Sequence, residues 1–137
     1  MKSVRRLVLQ LVVDHPNLSP TELEEILLIR PDECWSRGEN YKPSPHTKEQ
    51  QYQFSRWALT EIASSLDDLP ETIRALFNRV EERSGNFLNL PDDSRVALTL
   101  FVDEIQTVVG TGFDWDVIQF LAKIRAEIDV SLVVHRA

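Results

Sequence analysis

Apolar and polar residues alternate in two stretches of the chain, residues 4–13 and residues 95–103. A period of two is typical of β-strands that bury one face, and this feature constrains the fold more than any other. The residues predicted to face the core are Leu7, Leu9, Leu11, Val13, Val96, Leu98, Leu100 and Val102. The other face of the first strand mixes charged, amide and apolar side chains, which favours a sheet covered by helices on one side only.

Three segments begin with helix-start signals and continue with apolar residues at helical spacing. In the first, Ser19 can cap the helix, Pro20 suits its first turn, and Glu22 completes a capping box. The second begins at residues 67–71 and is expected to end before Gly85, and the third begins at Asp114. The positions predicted to be buried are Leu23, Ile26, Leu27, Leu69, Ile73, Leu76, Phe77, Val80, Val117, Ile118, Leu121 and Ile124.

Two further strands are predicted, at about residues 53–61 and at residues 127–134. In the last strand, the apolar residues predicted to point inward are Ile128, Val130, Leu132 and Val134. The predicted fold is a single α+β domain spanning residues 1–137, with the element order β-α-β-α-β-α-β. We expect a four-stranded, mainly antiparallel or mixed sheet with three helices mostly on one face, in the style of a ferredoxin-like sandwich.

Charge and composition exclude several classes of function. The formal net charge of −7 argues against nonspecific nucleic-acid binding, which needs a cationic surface. The apolar runs are shorter than the roughly 20 residues of a membrane span. The basic residues 1–6 precede an alternating strand rather than a signal peptide, so we expect a cytoplasmic protein.

The segment of residues 31–50 interrupts the regular pattern, and Pro31 is expected to end the first helix. Long irregular segments in small domains are often functional. The segment and the strand after it contain aromatic and cationic residues of the kinds that anchor ligands and partners. The candidate binding residues are Trp35, Arg37, Tyr41, Lys42, Arg56 and Trp57. The alternative is structural: Trp35 and Trp57 pack on each other or on the sheet edge, and Arg37 stacks over one of the indoles.

Negative charge is concentrated in the second half of the chain. Residues 1–66 hold 8 basic and 9 acidic groups, a net of −1, and residues 67–137 hold 7 basic and 13 acidic groups, a net of −6. Helix capping explains several of these acids; a surface that attracts a basic protein partner is the alternative. The candidate acidic surface comprises Asp67, Asp68, Asp92, Asp93, Asp114 and Asp116.

No pattern in the sequence predicts catalysis. Cys34 is the only cysteine, and no base is placed by the sequence beside it. The cysteine and three histidines do not cluster at zinc-ligand spacing, and the acidic pairs lack the pattern of a calcium loop. We therefore predict a non-enzymatic protein with no metal and no cofactor.

Four segments resemble a known bacterial family, domain of unknown function 4279. They are residues 31–39, the lone Trp57, the strand of residues 96–102, and the closing segment of residues 121–130. Arg37 stands where that family usually has lysine, which keeps the charge. The resemblance covers nearly the whole chain and implies no activity; small acidic bacterial domains of this kind occur among the immunity proteins of toxin systems.

Two functions follow as expectations. The first is a protein–protein interaction domain, an immunity protein that blocks a basic toxin by occlusion. The alternative is a small-ligand sensor with a pocket near Trp35, Arg37, Arg56 and Trp57. A homodimer through an exposed sheet edge is a further expectation, since edge strands invite pairing between copies.

Overall fold

The computed structural model describes residues 4–39, 51–105 and 113–135. Within them, one mixed sheet of five strands packs against three α-helices and two short 3₁₀ segments. The elements are β1 (Val4–His15), α1 (Pro20–Leu27), β2 (Glu33–Trp35), β3 (Ser55–Ala63), α2 (Leu69–Asn78), β4 (Arg95–Ile105), α3 (Trp115–Lys123) and β5 (Glu127–His135), with the 3₁₀ segments at Leu66–Asp68 and Glu81–Asn89. The α+β class is as predicted, but the element count is not.

The additional strand is β2, which follows α1 and is only three residues long. Its residues carry no alternating apolar pattern, so periodicity does not predict it. It is nonetheless a strand because it pairs antiparallel with β3, where Cys34 lies opposite Trp57. A strand defined by its neighbour rather than by its own pattern is invisible to periodicity.

The strand order is β2-β3-β1-β4-β5. All neighbouring strands are antiparallel except β4 and β5, which are parallel and connected through α3. The first six elements thus follow the β-α-β-β-α-β order of ferredoxin-like sandwiches. The α3–β5 unit extends that sheet by one strand.

The helices cover one face of the sheet. The alternating residues of β1 and β4 are buried there, as predicted, and so are Leu59 of β3, Leu76 of α2 and Ile124 after α3. The capping box of α1 is also confirmed, because Ser19 and Glu22 exchange side-chain to backbone hydrogen bonds.

Two helix ends differ from the prediction. α1 ends at Leu27, before Pro31, because Leu28 adopts a left-handed conformation with φ of 59° and donates its N–H to the Glu24 carbonyl. α2 ends at Asn78, and Gly85 lies within the following 3₁₀ segment rather than at the end of the helix. In both places a local turn ends the helix before the residue expected to end it, Pro31 for α1 and Gly85 for α2.

Three residues predicted to be buried are exposed. Ile118 of α3 is 44% exposed, and Ile128 and Val130 of β5 are 42% and 52% exposed. Ile128 and Val130 lie on the helix-covered face of β5, because they are in register with the buried Leu98 and Leu100 of β4. The helix layer therefore does not reach the outer edge of β5. No helix in the described part of the chain is long and apolar enough to span a membrane.

Candidate functional site

Four side chains form a row across the face of the sheet opposite α1, α2 and α3. The β-ladders place Trp35, Arg56, Asp14 and Arg95 directly opposite one another on β2, β3, β1 and β4. We name these four residues the arginine row. Residues in direct register on neighbouring strands share a face and lie within contact distance, so this grouping follows from the strand register itself.

Asp14 is the centre of the arginine row. Arg56 binds it with two hydrogen bonds, from Nε to Oδ1 at 2.6 Å and from Nη2 to Oδ2 at 2.9 Å. Arg95 approaches the same carboxylate, with Nη1 3.5 Å from Oδ2. The side chain of Asp14 is only 10% exposed, so both cations compensate a carboxylate removed from water.

Arg95 continues the charge network to β5. Its Nε lies 3.4 Å from Glu127 Oε1, and its Nη2 donates to Asp129 Oδ2 at 3.2 Å. Burial would lower the pKa of Arg95, but the charge of Glu127, the hydrogen bond to Asp129 and the charge of Asp14 outweigh it and raise the pKa above its ordinary value. The guanidinium thus contacts three carboxylates of this chain, although the side chain is still 37% exposed.

Trp35 is held between two flat groups. Tyr52 stacks on one side with ring centroids 4.2 Å apart and an angle of 11° between the planes. The Arg56 guanidinium carbon lies 4.7 Å from the indole centroid, which is a cation–π geometry. The indole N–H donates to the Phe54 carbonyl at 3.1 Å. The indole is therefore already stacked and hydrogen-bonded within the chain.

His15 closes the end of the sheet beside the arginine row. Its Nδ1 accepts hydrogen bonds from the backbone N–H groups of Asn17 and Leu18, at 3.0 and 2.9 Å. Because Nδ1 is an acceptor, the proton is on Nε2, which donates to Asp93 Oδ1 at 2.7 Å. Both ring nitrogens are used, so this His–Asp pair leaves no lone pair for a substrate proton.

Another polar contact joins Asp32, the residue before β2, to Arg79, the residue after α2. Arg79 binds Asp32 through two hydrogen bonds of 2.7 and 2.8 Å, and the Thr60 N–H donates to the same carboxylate at 2.9 Å. The hydrogen bond from Arg79 lowers the pKa of Asp32, and the hydrogen bond to Asp32 raises the pKa of Arg79. This contact ties the short strand β2 to the helix layer.

The structure brings together only part of the predicted aromatic and cationic site. Trp35 and Arg56 are in contact, and Arg37 lies nearby, with Nη1 donating to the Asn17 side chain at 3.0 Å and to the Pro16 carbonyl at 3.3 Å. Tyr41 and Lys42 lie outside the described residues.

Trp57 does not join this cluster. It is 0% exposed in the core on the helix side, where its N–H donates to the Ile29 carbonyl at 2.9 Å and its ring meets Phe87 edge-on. Strand alternation separates it from Arg56, its neighbour in sequence, because successive residues of a strand point to opposite faces.

A shallow cavity of about 290 Å³ opens beside the arginine row. Its lining includes Phe54, Arg56 and Arg95 together with Asp14 and Asp93. Since both arginines already contact carboxylates of this chain, an anionic ligand here would compete with Asp14 and the acids of β5.

The larger cavity, about 390 Å³, lies between α2 and α3 on the other side of the sheet. We name it the helix groove. Its apolar residues are Leu69, Ile73, Phe77, Phe113, Val117 and Phe120, and its polar residues include Arg74, Glu81, Asp114 and Asp116. Phe77 and Phe120 stack across it with centroids 4.2 Å apart.

The charged residues of the helix groove have no ion-pair partner in the described part of the chain. Glu81, Asp114 and Asp116 are exposed and make no ion pair there, and neither does Arg74. Three carboxylates against one guanidinium leave the groove with a negative rim above an apolar, partly aromatic floor.

The six candidate acids do not form one surface. Asp114 and Asp116 line the helix groove, and Asp67 and Asp68 precede α2 at the same end of the sheet, where β3 ends. Asp92 and Asp93 precede β4 at the opposite end, and Asp93 is bound to His15.

The helix groove is not predicted from the sequence, because the helical spacing of its aromatic residue Phe77 is that of a core residue. Phe77 is buried, as predicted, and Phe120 occupies the flank of α3 that faces α2. The sequence offers a signal for the rim of the groove, in the acids Asp114 and Asp116 at the start of α3, but not for the groove itself, which depends on the distance between two helices. Within the described residues, no group of three or more histidine, cysteine or acidic side chains could hold a metal ion.

Comparison with known proteins gives one match. The model of the family described as Domain of unknown function (DUF4279) matches residues 5–135, which include all the segments that carry the resemblance noted above. No curated protein and no solved structure matches the chain.

Proposed function

The chain belongs to the DUF4279 family, and from that premise we propose that it is a non-enzymatic protein–protein interaction domain that binds a basic partner. It acts in the bacterial cytoplasm, as an immunity protein that blocks a toxin by covering its surface. The observation that carries this proposal is the helix groove, an apolar cleft of about 390 Å³ whose rim carboxylates have no ion-pair partner in the described chain.

The chemistry of the helix groove defines the partner. Phe77, Phe113 and Phe120 offer the aromatic surface on which an apolar anchor residue can be buried. The carboxylates of Glu81, Asp114 and Asp116 can accept hydrogen bonds from lysine or arginine side chains without breaking an ion pair of the described chain. An amphipathic segment with basic residues flanking an apolar anchor fits both features.

The net charge adds to the rate of association rather than to specificity. A formal charge of −7 attracts a basic protein over several ångströms and raises the encounter rate. We expect the affinity to fall with ionic strength, because exposed charges are screened.

The experiment tests binding to the products of the genes that flank this one. The double variant Glu81→Lys/Asp116→Lys reverses two exposed rim charges, and it should slow association about tenfold or more. Asp67→Lys/Asp92→Lys is the matched control, since it makes the same change in net charge outside the groove and should have a smaller effect. Equal loss in both variants, or no partner for a folded and abundant protein, would contradict the proposal.

A small-ligand sensor is the second candidate, supported by the cavity of about 290 Å³ beside Arg56 and Arg95. It is less favoured because the carboxylates of Asp14, Glu127 and Asp129 already engage these arginines. Screening carboxylate and phosphate metabolites by thermal shift distinguishes the two. A stabilising ligand whose effect disappears in Arg95→Ala would favour the sensor.

A further inference from the structure

We propose that β5 is a self-association edge, through which two copies of this chain join their sheets. The proposal begins from the three apolar residues that the helix layer leaves exposed, Ile118, Ile128 and Val130. We name them the edge patch. It is distinct from the helix groove, and it needs no partner of another sequence.

The edge patch is one surface. α3 stacks on α2 through Phe120, and α2 packs over β3 and β1. On a helix of 3.6 residues per turn, Ile118 lies on the flank of α3 opposite Phe120, and therefore on the side of β5. Ile128 and Val130 lie on the helix-covered face of β5. Helix and strand thus present apolar side chains to the same open corner.

The backbone of β5 also lacks a partner on its outer side in the described part of the chain. It is the last strand of the sheet, and its inner side pairs with β4 from Glu127 to His135 without a register shift. Natural edge strands are usually short or interrupted by lysine, proline or a bulge. The other edge, β2, is protected by its length of three residues, whereas β5 has nine residues and none of these devices.

The charges of β5 favour a second copy over a basic partner. Glu127 and Asp129 are the acidic residues of the strand, and both are held by Arg95 of their own chain. Arg95 offsets one of these two negative charges, so the edge carries only a small part of the chain's charge of −7. An apolar edge whose acids already contact Arg95 can meet its own copy, while the carboxylates without an ion-pair partner in the described chain, which suit a basic partner, lie in the helix groove.

The sequence of β5 is compatible with itself in an antiparallel pair. Ser131 is the middle residue of the strand, so an axis through Ser131 pairs all nine residues. In that register Glu127 lies opposite His135 and Asp129 opposite Val133, so no acidic residue faces another. A two-fold axis perpendicular to the sheet keeps the helices of both copies on one side, where the two edge patches cover each other.

The first experiment measures mass against concentration by sedimentation equilibrium. We expect a reversible dimer, and we expect Val130→Lys to weaken it about tenfold or more, because the symmetric pair receives two like charges at once. Ile62→Lys is the matched control: Ile62 is 60% exposed on β3, on the face without helices, and its change should leave the dimer intact.

The second experiment does not depend on the folding of a charged variant. In a Cys34→Ser background, Ser131→Cys should be cross-linked rapidly by a short bis-maleimide, because directly opposite Cβ atoms lie about 5 Å apart. The wild-type chain provides the control, since Cys34 is exposed on the other edge strand and should cross-link slowly.

The proposal would be overturned by a monomer at concentrations of about 1 mM, by a dimer unaffected by Val130→Lys, or by faster cross-linking through Cys34 in the wild type than through the thiol introduced by Ser131→Cys. Capture of a foreign strand on β5 without self-association would also overturn it. Loss of partner binding in the groove variants leaves all of these readouts unchanged, so this proposal and the proposed function can fail separately.

Discussion

The arginine row and the helix groove contain similar residue types, but their polar groups are in opposite states. In the arginine row every charged side chain is bound: Asp14 by Arg56 and Arg95, and Arg95 also by Glu127 and Asp129. Trp35 is likewise covered by Tyr52 and Arg56. In the helix groove, Glu81 and Asp116 are exposed without an ion-pair partner in the described chain.

This difference indicates which region is structural and which is available for binding. A partner that binds the arginine row must compete with these ion pairs, of which the Asp14–Arg56 pair is largely buried, and this cost offsets its new contacts. A partner that enters the helix groove gains apolar burial and meets carboxylates that are still hydrated. The residue types of a binding hot spot are thus a weak indication of function unless their contacts are known.

The largest expected effect tests the structural role of the arginine row. Asp14→Ala leaves the partly buried Arg56 without its bidentate carboxylate and should lower the free energy of unfolding by about 3 kcal/mol. Asp92→Ala, at an exposed position near the same end of the sheet, should change it by less than about 0.5 kcal/mol. Urea denaturation at pH 7 measures both. A loss below about 1 kcal/mol for Asp14→Ala would mean that the ion pairs of the arginine row contribute little to stability, as expected of exposed charges.

The second effect concerns the turn after β1. His15→Ala leaves the N–H groups of Asn17 and Leu18 without their acceptor and should cost about 2 kcal/mol in the free energy of unfolding. His15→Asn can present an oxygen near the position of Nδ1 and should recover part of this loss, whereas His15→Gln should recover less. Thermal unfolding of the three variants separates them. Equal stability for all three would show that the acceptor at Nδ1 is unimportant.

The Asp32–Arg79 pair is more exposed than the Asp14–Arg56 pair, so it should contribute less to stability. Asp32→Asn should cost about 1 kcal/mol at pH 7, a figure reduced for solvent screening because both side chains are about one-third exposed. The folded pKa of Asp32 is lowered from its ordinary value of 3.8, so the stabilisation is complete above that value and is lost as the pH falls through the folded pKa. The stabilities of wild type and Asp32→Asn should therefore begin to converge below the ordinary pKa of 3.8 and become equal only below the lowered folded pKa. A difference that persists there would contradict the assignment.

Local pattern in the sequence predicts a large part of the fold. Alternation places Leu9 and Leu98 in the core, and the capping box at Ser19 locates the start of α1. The pattern does not predict β2, which exists only through its pairing with β3. It also places Ile128 in the core, wrongly, because periodicity identifies the face of a strand but not how far the helix layer extends over it.

The candidate site is less predictable than the fold. Trp35 and Arg56 are in contact, as their joint prediction requires, because strand register places them opposite each other. Trp57 is predicted to join them, but its position next to Arg56 in a strand sends it to the other face. The helix groove depends on the distance between two helices, which no local pattern contains.

The smallest expected effect tests whether the rim carboxylate Asp116 of the helix groove contributes to the stability of the fold. Asp116 lies in the first turn of α3, where a carboxylate interacts favourably with the helix dipole. Asp116→Asn should therefore lower the free energy of unfolding by only about 0.5 kcal/mol, and about 1 M salt should remove most of that difference. Urea denaturation at low and high salt measures it. A loss above about 1.5 kcal/mol that salt does not reduce would mean that Asp116 is held in a network, and the groove would then belong with the arginine row. A small, salt-sensitive loss would show that the Asp116 carboxylate is not held in a network and is available to a partner's cation.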